Sequence, residues 1–469
     1  MAIIEEVQDE EAAPAIATPS RTEMMSTLRA LSAKLRLPED LLPGFMDDED
    51  DGSNAVYCRT CRSVLQDMVA STENPAWEET GLEEQGEIFG VVTRLYGEDG
   101  WTSAEIRTLI GDLARDVDTA QLAQYLLTHA LRPYFSSTHP MLNPSTSRAL
   151  SRPAGGPEAL SDAQDAAAGT WKTYAAWGNY NILAWCCAQI PPADLPDKIG
   201  LVLPPTLMMM DDSDPAWRGR GAWVLSKWIG GIPTLTMKRM GMDTLLLKSL
   251  IHTLSLHSIT PLPHVMPLTL ELIGRASEGE KEAELLSEVM DKAVLTGWMY
   301  APSGAEGRVV LTQVAKDLEQ ICGVLGAGIL RWMKSIIPNL LQPLAYPPTP
   351  AVLSHFEANL SALLCVMRVT APTGRVPRWR GQILDVLSRL CIHLDEKEKE
   401  DAAISRGQRN RVSIYGGLRG RVEAVFALLA ELCPSVKQDE FARLIKLDHS
   451  VFDPIVGRTI VGTGEGVRA

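Results

Sequence analysis

Aromatic residues make up only 6% of the 469-residue chain, and stretches of apolar–polar alternation bounded by hairpin turns are sparse. Both shortages argue against a sandwich or barrel, whose strands draw on aromatic and β-branched residues. Catalytic signatures are missing as well. There is no Walker-type phosphate loop, no G-x-G-x-x-G after a strand, no G-x-S-x-G elbow and no H-E-x-x-H. The eight histidines are scattered, and His252 and His257 stand five apart, a poor spacing for two metal ligands on one helix. No uninterrupted apolar run of about 18 residues appears. The nearest, residues 321–341, is broken by Arg331 and Lys334. Basic charge is in short supply: 44 Lys and Arg stand against 59 Asp and Glu, a net charge of -15. That balance disfavours nucleic acid or an anionic membrane as a main partner. The acidic start, MAIIEEVQDEE, has no signal-peptide or transit-peptide character. With eight cysteines mostly inside apolar helical stretches, a reducing compartment is expected.

What the chain does have is helical period. Apolar positions recur at helical spacing over 22–37, 55–69, 88–96, 102–117 and 119–134. Thr102 with Glu105 three residues on has the form of a capping box. Residues 136–169, rich in Ser, Pro, Gly and Ala, read as a linker or long loop and as a boundary. After it, helical patterns cover 171–188, 235–256, 261–276, 280–300, 309–341, 350–369, 379–394, 418–432 and 437–447. Pro267 is expected to kink its helix. Gly323, Gly326 and Gly328 suggest close helix packing. The organisation expected is an acidic disordered leader (1–20), an N-terminal helical region (21–135), the linker (136–169), a C-terminal helical array (170–450) and a flexible tail (451–469).

Residues 194–231 carry the clearest pattern. A first helix with Pro204 inside it ends near the double acid Asp211-Asp212. Asp214 then caps a second helix, with Pro215 at its first position, where the missing N–H costs nothing. Trp217, Gly221, Val224, Leu225 and Trp228 share one face of that helix. A proline, an acid eight residues on and an arginine six beyond (Pro204, Asp212, Arg218) is the spacing of a HEAT repeat. The acid can accept N–H groups at the second helix's start or a neighbour's arginine, and the arginine can tie one repeat to the next. An ordinary helical hairpin is the competing reading. Helix pairs at intervals of roughly 40 residues make the expected fold all-α: an α-solenoid of degenerate HEAT-like hairpins.

Other candidate chemistry is thinner. Cys58 and Cys61 form a Cys-x-x-Cys pair, half a zinc site or a redox motif, with no second pair at finger spacing. Residues 47–51 are acidic but lack a calcium loop's ligand spacing. Trp171, Tyr174, Trp177, Tyr180 and Trp185 could cage a cation or pack between helices. The mixed-charge run 395–401 reads as a solvated helix end. Arg406, Arg409, Arg411, Arg419 and Arg421 form a basic stretch that could dock an acidic partner or RNA or be a solvated loop, with only Tyr415 nearby to stack on a base. No cofactor, metal or catalytic residue is expected.

The segment LPPTLMMMDDSDPAWRGRGAWVLSKWI, through Leu203, Pro204, Pro205, Asp211, Asp212, Pro215, Arg218 and Gly221, resembles the signature of the Tel-two-interacting protein two family. The upstream WKTYAAWGNYNILAWC and the helical pairs that follow look similar, so the resemblance spans about residues 170–450. It implies a non-enzymatic α-solenoid, the smallest subunit of the Triple-T co-chaperone complex, holding two larger helical-repeat subunits. With the ATP-dependent heat-shock chaperone, that complex would mature phosphatidylinositol-3-kinase-related kinases in the cytoplasm and nucleus. No membrane and no nucleic acid would be bound. The alternative is a transport-receptor-like adaptor for a GTPase or basic cargo.

Overall fold

A computed structural model describes residues 20–41, 52–135, 139–168, 170–260, 262–404 and 414–457. Among these residues every named element is helical, and the sole extended pairing is an isolated antiparallel bridge between Leu142 and Ala149. The all-α expectation therefore holds. The leader, residues 47–51, Arg406, Arg409 and Arg411 lie outside the described residues. The chain divides into two compact units, Met1–Met208 with Trp223–Thr236 and Met209–Ala222 with Met237–Ala469.

The first unit begins with α1 (Arg21–Ala33), α2 (Ser53–Thr72), α3 (Leu82–Val92), α4 (Ala104–Leu113) and α5 (Thr119–Tyr125). Ser20 starts α1 with a full capping box: its hydroxyl accepts from the Glu23 N–H, and the Glu23 carboxylate accepts from the Ser20 N–H at 2.8 Å. The cap of α4 differs from expectation. Ser103, not Thr102, accepts the Ile106 N–H at 3.2 Å. Thr102 turns back to donate to the Gly97 carbonyl at 2.7 Å, so its hydroxyl is already committed.

The expected boundary at residues 136–169 is not where the units part. This segment folds against the first unit. Leu142 and His139 are buried, and α6 (Ala159–Ala168) forms within it. Nor does one helix fill 171–188. Residues 174–176 make a single tight turn, and α7 (Asn179–Gln189) starts only after Gly178. Gly178 has φ +67, and a Cβ there would lie 2.7 Å from the Arg94 Cβ, so the chain reverses where only glycine fits. Every residue of α7 from Asn179 to Cys187 is buried. Within this unit α1 packs on α3, α3 on α5 and α5 on α7, while α2 packs on α4. Along α1, α3, α5 and α7 each helix thus packs on the next but one in the chain.

Three helices are divided between the units: α8 (Leu195–Met210), with Pro204 and Pro205 inside it, α9 (Pro215–Trp228) and the short α10 (Thr234–Met240). Next come α11 (Met242–Leu254), α12 (Val265–Ala276), α13 (Glu280–Val289), α14 (Thr296–Tyr300), α15 (Gly304–Leu325), α16 (Met333–Leu341), α17 (Leu353–Thr370), α18 (Arg380–Ile404), α19 (Gly416–Leu432), α20 (Ala442–Leu447) and α21 (His449–Phe452). In the second unit α12, α15, α17 and α19 stack in succession, again skipping intervening helices. Val310, Val314, Leu318 and Ile321 of α15 and Leu418, Val422, Val425 and Leu429 of α19 are all buried and recur at the helical period.

Three local expectations change here. Pro267 sits in the first turn of α12, where an absent N–H removes no helical bond. Gly326 ends α15 with φ +53, and no heavy atom lies within 4 Å of a Cβ built on Gly323 or Gly326. Gly326 interrupts the 309–341 pattern, and neither glycine sits at a close helix contact. The tail begins later than residue 451, since Val451, Phe452, Ile455 and Val456 are helical and buried. Two segments, Gly304–Ala345 and Pro350–Thr373, reach the length and hydropathy of a membrane span. The first is four successive elements, and α15 and α17 pack directly on one another, so their facing apolar residues belong to the second unit's core.

Leu363 of α17 has no exposed surface. Leu363→Ala is expected to lower the free energy of unfolding by about 2–5 kcal/mol through the cavity it leaves, read from urea denaturation.

Candidate functional site

The turn between α8 and α9 gathers the residues with repeat-like spacing. Pro204 is buried within α8. Asp212 is fully buried, and its Oδ1 accepts the Asp214 N–H at 2.8 Å. Asp214 in turn accepts the Ala216 N–H at 2.8 Å, capping α9, which opens at Pro215. Arg218, one helical turn on, folds back so that its Nε donates to the Asp212 carbonyl. Gly221 lets the two helices close. A Cβ there would stand 2.7 Å from the Met210 backbone nitrogen, a distance real side chains do not adopt.

The turn is also fastened to α11. Ser249 donates to Asp211 Oδ1 at 2.6 Å, and Arg218 Nη1 reaches Thr253 Oγ1 at 3.5 Å. Ser249 and Thr253 are four residues apart, hence on one face of α11, and both are buried. Sequence reasoning missed this pair. The available signal was two hydroxyl residues at i, i+4 on an otherwise apolar helix, a placement that needs buried polar partners. Burial pulls the Arg218 guanidinium below its ordinary value, while the Asp211 and Asp212 carboxylates oppose that pull. The arrangement performs no bond chemistry; it locks two consecutive helix pairs in register.

The remaining candidates are dispersed. Arg419 forms an ion pair with Glu398 at 2.6 Å, and Arg421 lies 3.9 Å from Glu357. Both therefore face acids of α18 and α17, with the Arg421 side chain still 43% exposed. The 395–401 run is part of α18 and carries its own pairs, Lys399–Asp395 and Lys397–Glu400, each at 2.6 Å. Cys61 is buried on α2 and its thiol is pushed up to about 11, chiefly by loss of water. Among the described residues no group of three His, Cys, Asp or Glu side chains is placed to hold a metal.

Trp171, Tyr180 and Trp185 of the aromatic segment pack, while Tyr174 and Trp177 lie under the guanidinium groups of Arg36 and Arg94. Trp185 lies 5.6 Å from Phe89, Trp171 stacks on Phe135 at 5.7 Å, and the Tyr180 hydroxyl donates to Asp99 at 2.6 Å. Asn181 donates to the Arg94 carbonyl at 2.7 Å and to Asp99 at 2.9 Å, so α7 is anchored by hydrogen bonds as well as by area. Elsewhere in the second unit, Leu256, Ile259, Met299, Tyr300 and Val309 are exposed on neighbouring segments. Those segments touch through His257 and Thr296, 3.0 Å apart.

Helix packed on helix, with buried polar ties at the α8–α9 turn, defines an all-helical protein among the described residues. The particular group is also shown: residues 91–351, more than half the chain, match the Tti2 family, and the chain belongs to it. That family consists of non-catalytic complex subunits. No curated protein and no solved structure matches the chain. The matched stretch contains the whole α8–α9 hairpin and α11. It starts earlier and stops earlier than the 170–450 resemblance, leaving α1, α2 and Arg419 and Arg421 outside it.

Two outcomes follow from these groups. Arg218→Glu sets a third carboxylate beside Asp211 and Asp212 and removes both donors, so the unfolding free energy should fall by about 1–3 kcal/mol; an unchanged urea midpoint would count against a structural tie. Asp317 of α15 is buried beside a cavity of about 30 Å³. It accepts from Gln313 at 2.8 Å, and burial lifts its carboxyl to about 7 from an ordinary 3.8. Because the folded value is the raised one, its contribution is complete below the unfolded value and is lost as pH climbs through the folded one. Between about pH 5 and about pH 8 the parent should therefore lose stability relative to Asp317→Asn, measured by urea midpoints at both pH values.

Proposed function

We propose that this protein is a scaffold subunit of a Triple-T-type co-chaperone assembly. Its work is to hold two larger helical-repeat subunits. Through them it supports, together with the ATP-dependent heat-shock chaperone, the folding and stability of phosphatidylinositol-3-kinase-related kinases, in the cytoplasm and the nucleus. The observation that carries this reading is the family match over residues 91–351. The fold supports it, since rows of helix pairs offer long surfaces for protein contact. The exposed apolar residues at 256–259, 299–300 and 309 supply the kind of surface that association would cover.

Native capture of the tagged chain should bring down two larger helical-repeat proteins in fixed proportion, and its depletion should lower the steady-state level of the kinases without lowering their messenger RNA. Capture of the tagged chain alone would overturn the proposal. Release of captured proteins by a guanine nucleotide would favour the transport-adaptor alternative instead.

A further inference from the structure

The first unit carries a groove of about 570 Å³ between α1, α3 and the turn before α7. On the α1 side its wall is Arg29, Ser32, Ala33 and, just past the helix end, Arg36; on the α3 side it is Glu87, Ile88, Val91 and Arg94; Tyr174 and Trp177 close it. Small residues at 32 and 33 leave the width, and Ile88 and Val91 give an apolar floor.

The charges along this groove are unequal. Arg29 and Glu87 satisfy each other, with Nη2 2.8 Å from Oε2 and Nε 3.0 Å from Oε1. Neither Arg36 nor Arg94 has a carboxylate partner among the described residues. Arg36 donates to the Tyr174 hydroxyl at 3.1 Å and lies 4.9 Å over its ring. Arg94 donates to the carbonyls of Ala175 and Trp177, at 3.1 and 2.6 Å, and lies 5.2 Å from the Trp177 ring. Removal from water lowers the Arg94 guanidinium from its ordinary value. Two guanidinium groups fixed on aromatic faces above an apolar floor, in a chain of net charge -15, form a local site of opposite sign.

We infer that this groove receives an acidic segment of a partner protein, with an apolar side chain seated on Ile88 and Val91 and carboxylates meeting Arg36 and Arg94. Held guanidinium groups lose little freedom on pairing, and aromatic rings beside them give the contact area that anchors a peptide. This deepens the scaffold reading and rests on it only for the existence of a protein partner.

The test uses the full chain and a fluorescein-labelled peptide of alternating glutamate and leucine-phenylalanine pairs, followed by fluorescence anisotropy. The peptide should bind, its lysine-for-glutamate counterpart should not, and added salt should weaken binding. Arg36→Glu should weaken it by about tenfold or more, whereas Arg115→Glu, on the exposed surface of the same unit, should change it by less than about twofold. Absence of binding, equal effects of the two variants, or equally tight binding of the lysine peptide would overturn the inference. The chain's own acidic leader is the competing occupant. If the full-length variant with Glu5→Gln, Glu6→Gln, Asp9→Asn, Glu10→Gln and Glu11→Gln binds the peptide about tenfold more tightly, the groove belongs to the leader and the partner assignment fails. Capture of the two larger subunits by the parent chain, scored separately, keeps a failed groove apart from a failed scaffold.

Discussion

A helix pair cannot bury its apolar stripe alone, and everything in this protein depends on the next pair arriving to cover it. In the second unit that cover is the succession of α12, α15, α17 and α19. The buried positions of α15 and α19 repeat every three or four residues because only that spacing keeps one side of a helix turned to its neighbour. Charged side chains remain on the outer turns, where they pair along their own helix, as Arg389 does with Asp385 and Lys292 with Glu288. Such exposed pairs add little to stability. The apolar stack carries the fold, and that stack also explains why two segments of the chain have the hydropathy of membrane spans.

Stacking alone sets no register, because apolar surfaces slide. The junction between α8, α9 and α11 supplies what the apolar contacts lack. Asp211, Asp212, Arg218, Ser249 and Thr253 are buried or nearly so and are tied by directional bonds. A wrong alignment would leave these groups without partners in a dry interior, at a cost of about 1–3 kcal/mol for each. The polar residues thus select one arrangement among several that the apolar residues would tolerate.

Much of this was legible in the sequence, for reasons that differ from element to element. The α8–α9 hairpin was readable because its punctuation is local: Asp214 as cap, Pro215 at the first helical position and the Pro204–Asp212–Arg218 spacing all act within a few turns of chain. The partners of Asp211 and Arg218 were not readable, since Ser249 and Thr253 lie more than thirty residues away and nothing in a linear pattern joins them. Residues 171–178 mislead because their aromatics have helical spacing, while Gly178, pressed against Arg94 from a remote turn, forbids the helix. The cap of α4 moved by one residue because the Thr102 hydroxyl is claimed by Gly97 and Asp99. The Ser- and Pro-rich stretch after residue 135 has a linker's composition, yet its described residues 139–168 belong to the first unit, with His139 and Leu142 buried.

The division of the chain runs through α8, α9 and α10, so each unit owns part of all three helices. A cut at any crossing severs intramolecular helix hydrogen bonds, and one in α8 or α9 strands half of a hairpin on each fragment. A boundary for cutting the chain in two therefore cannot be drawn at one loop, because the first unit takes back residues 223–236 after the second has begun.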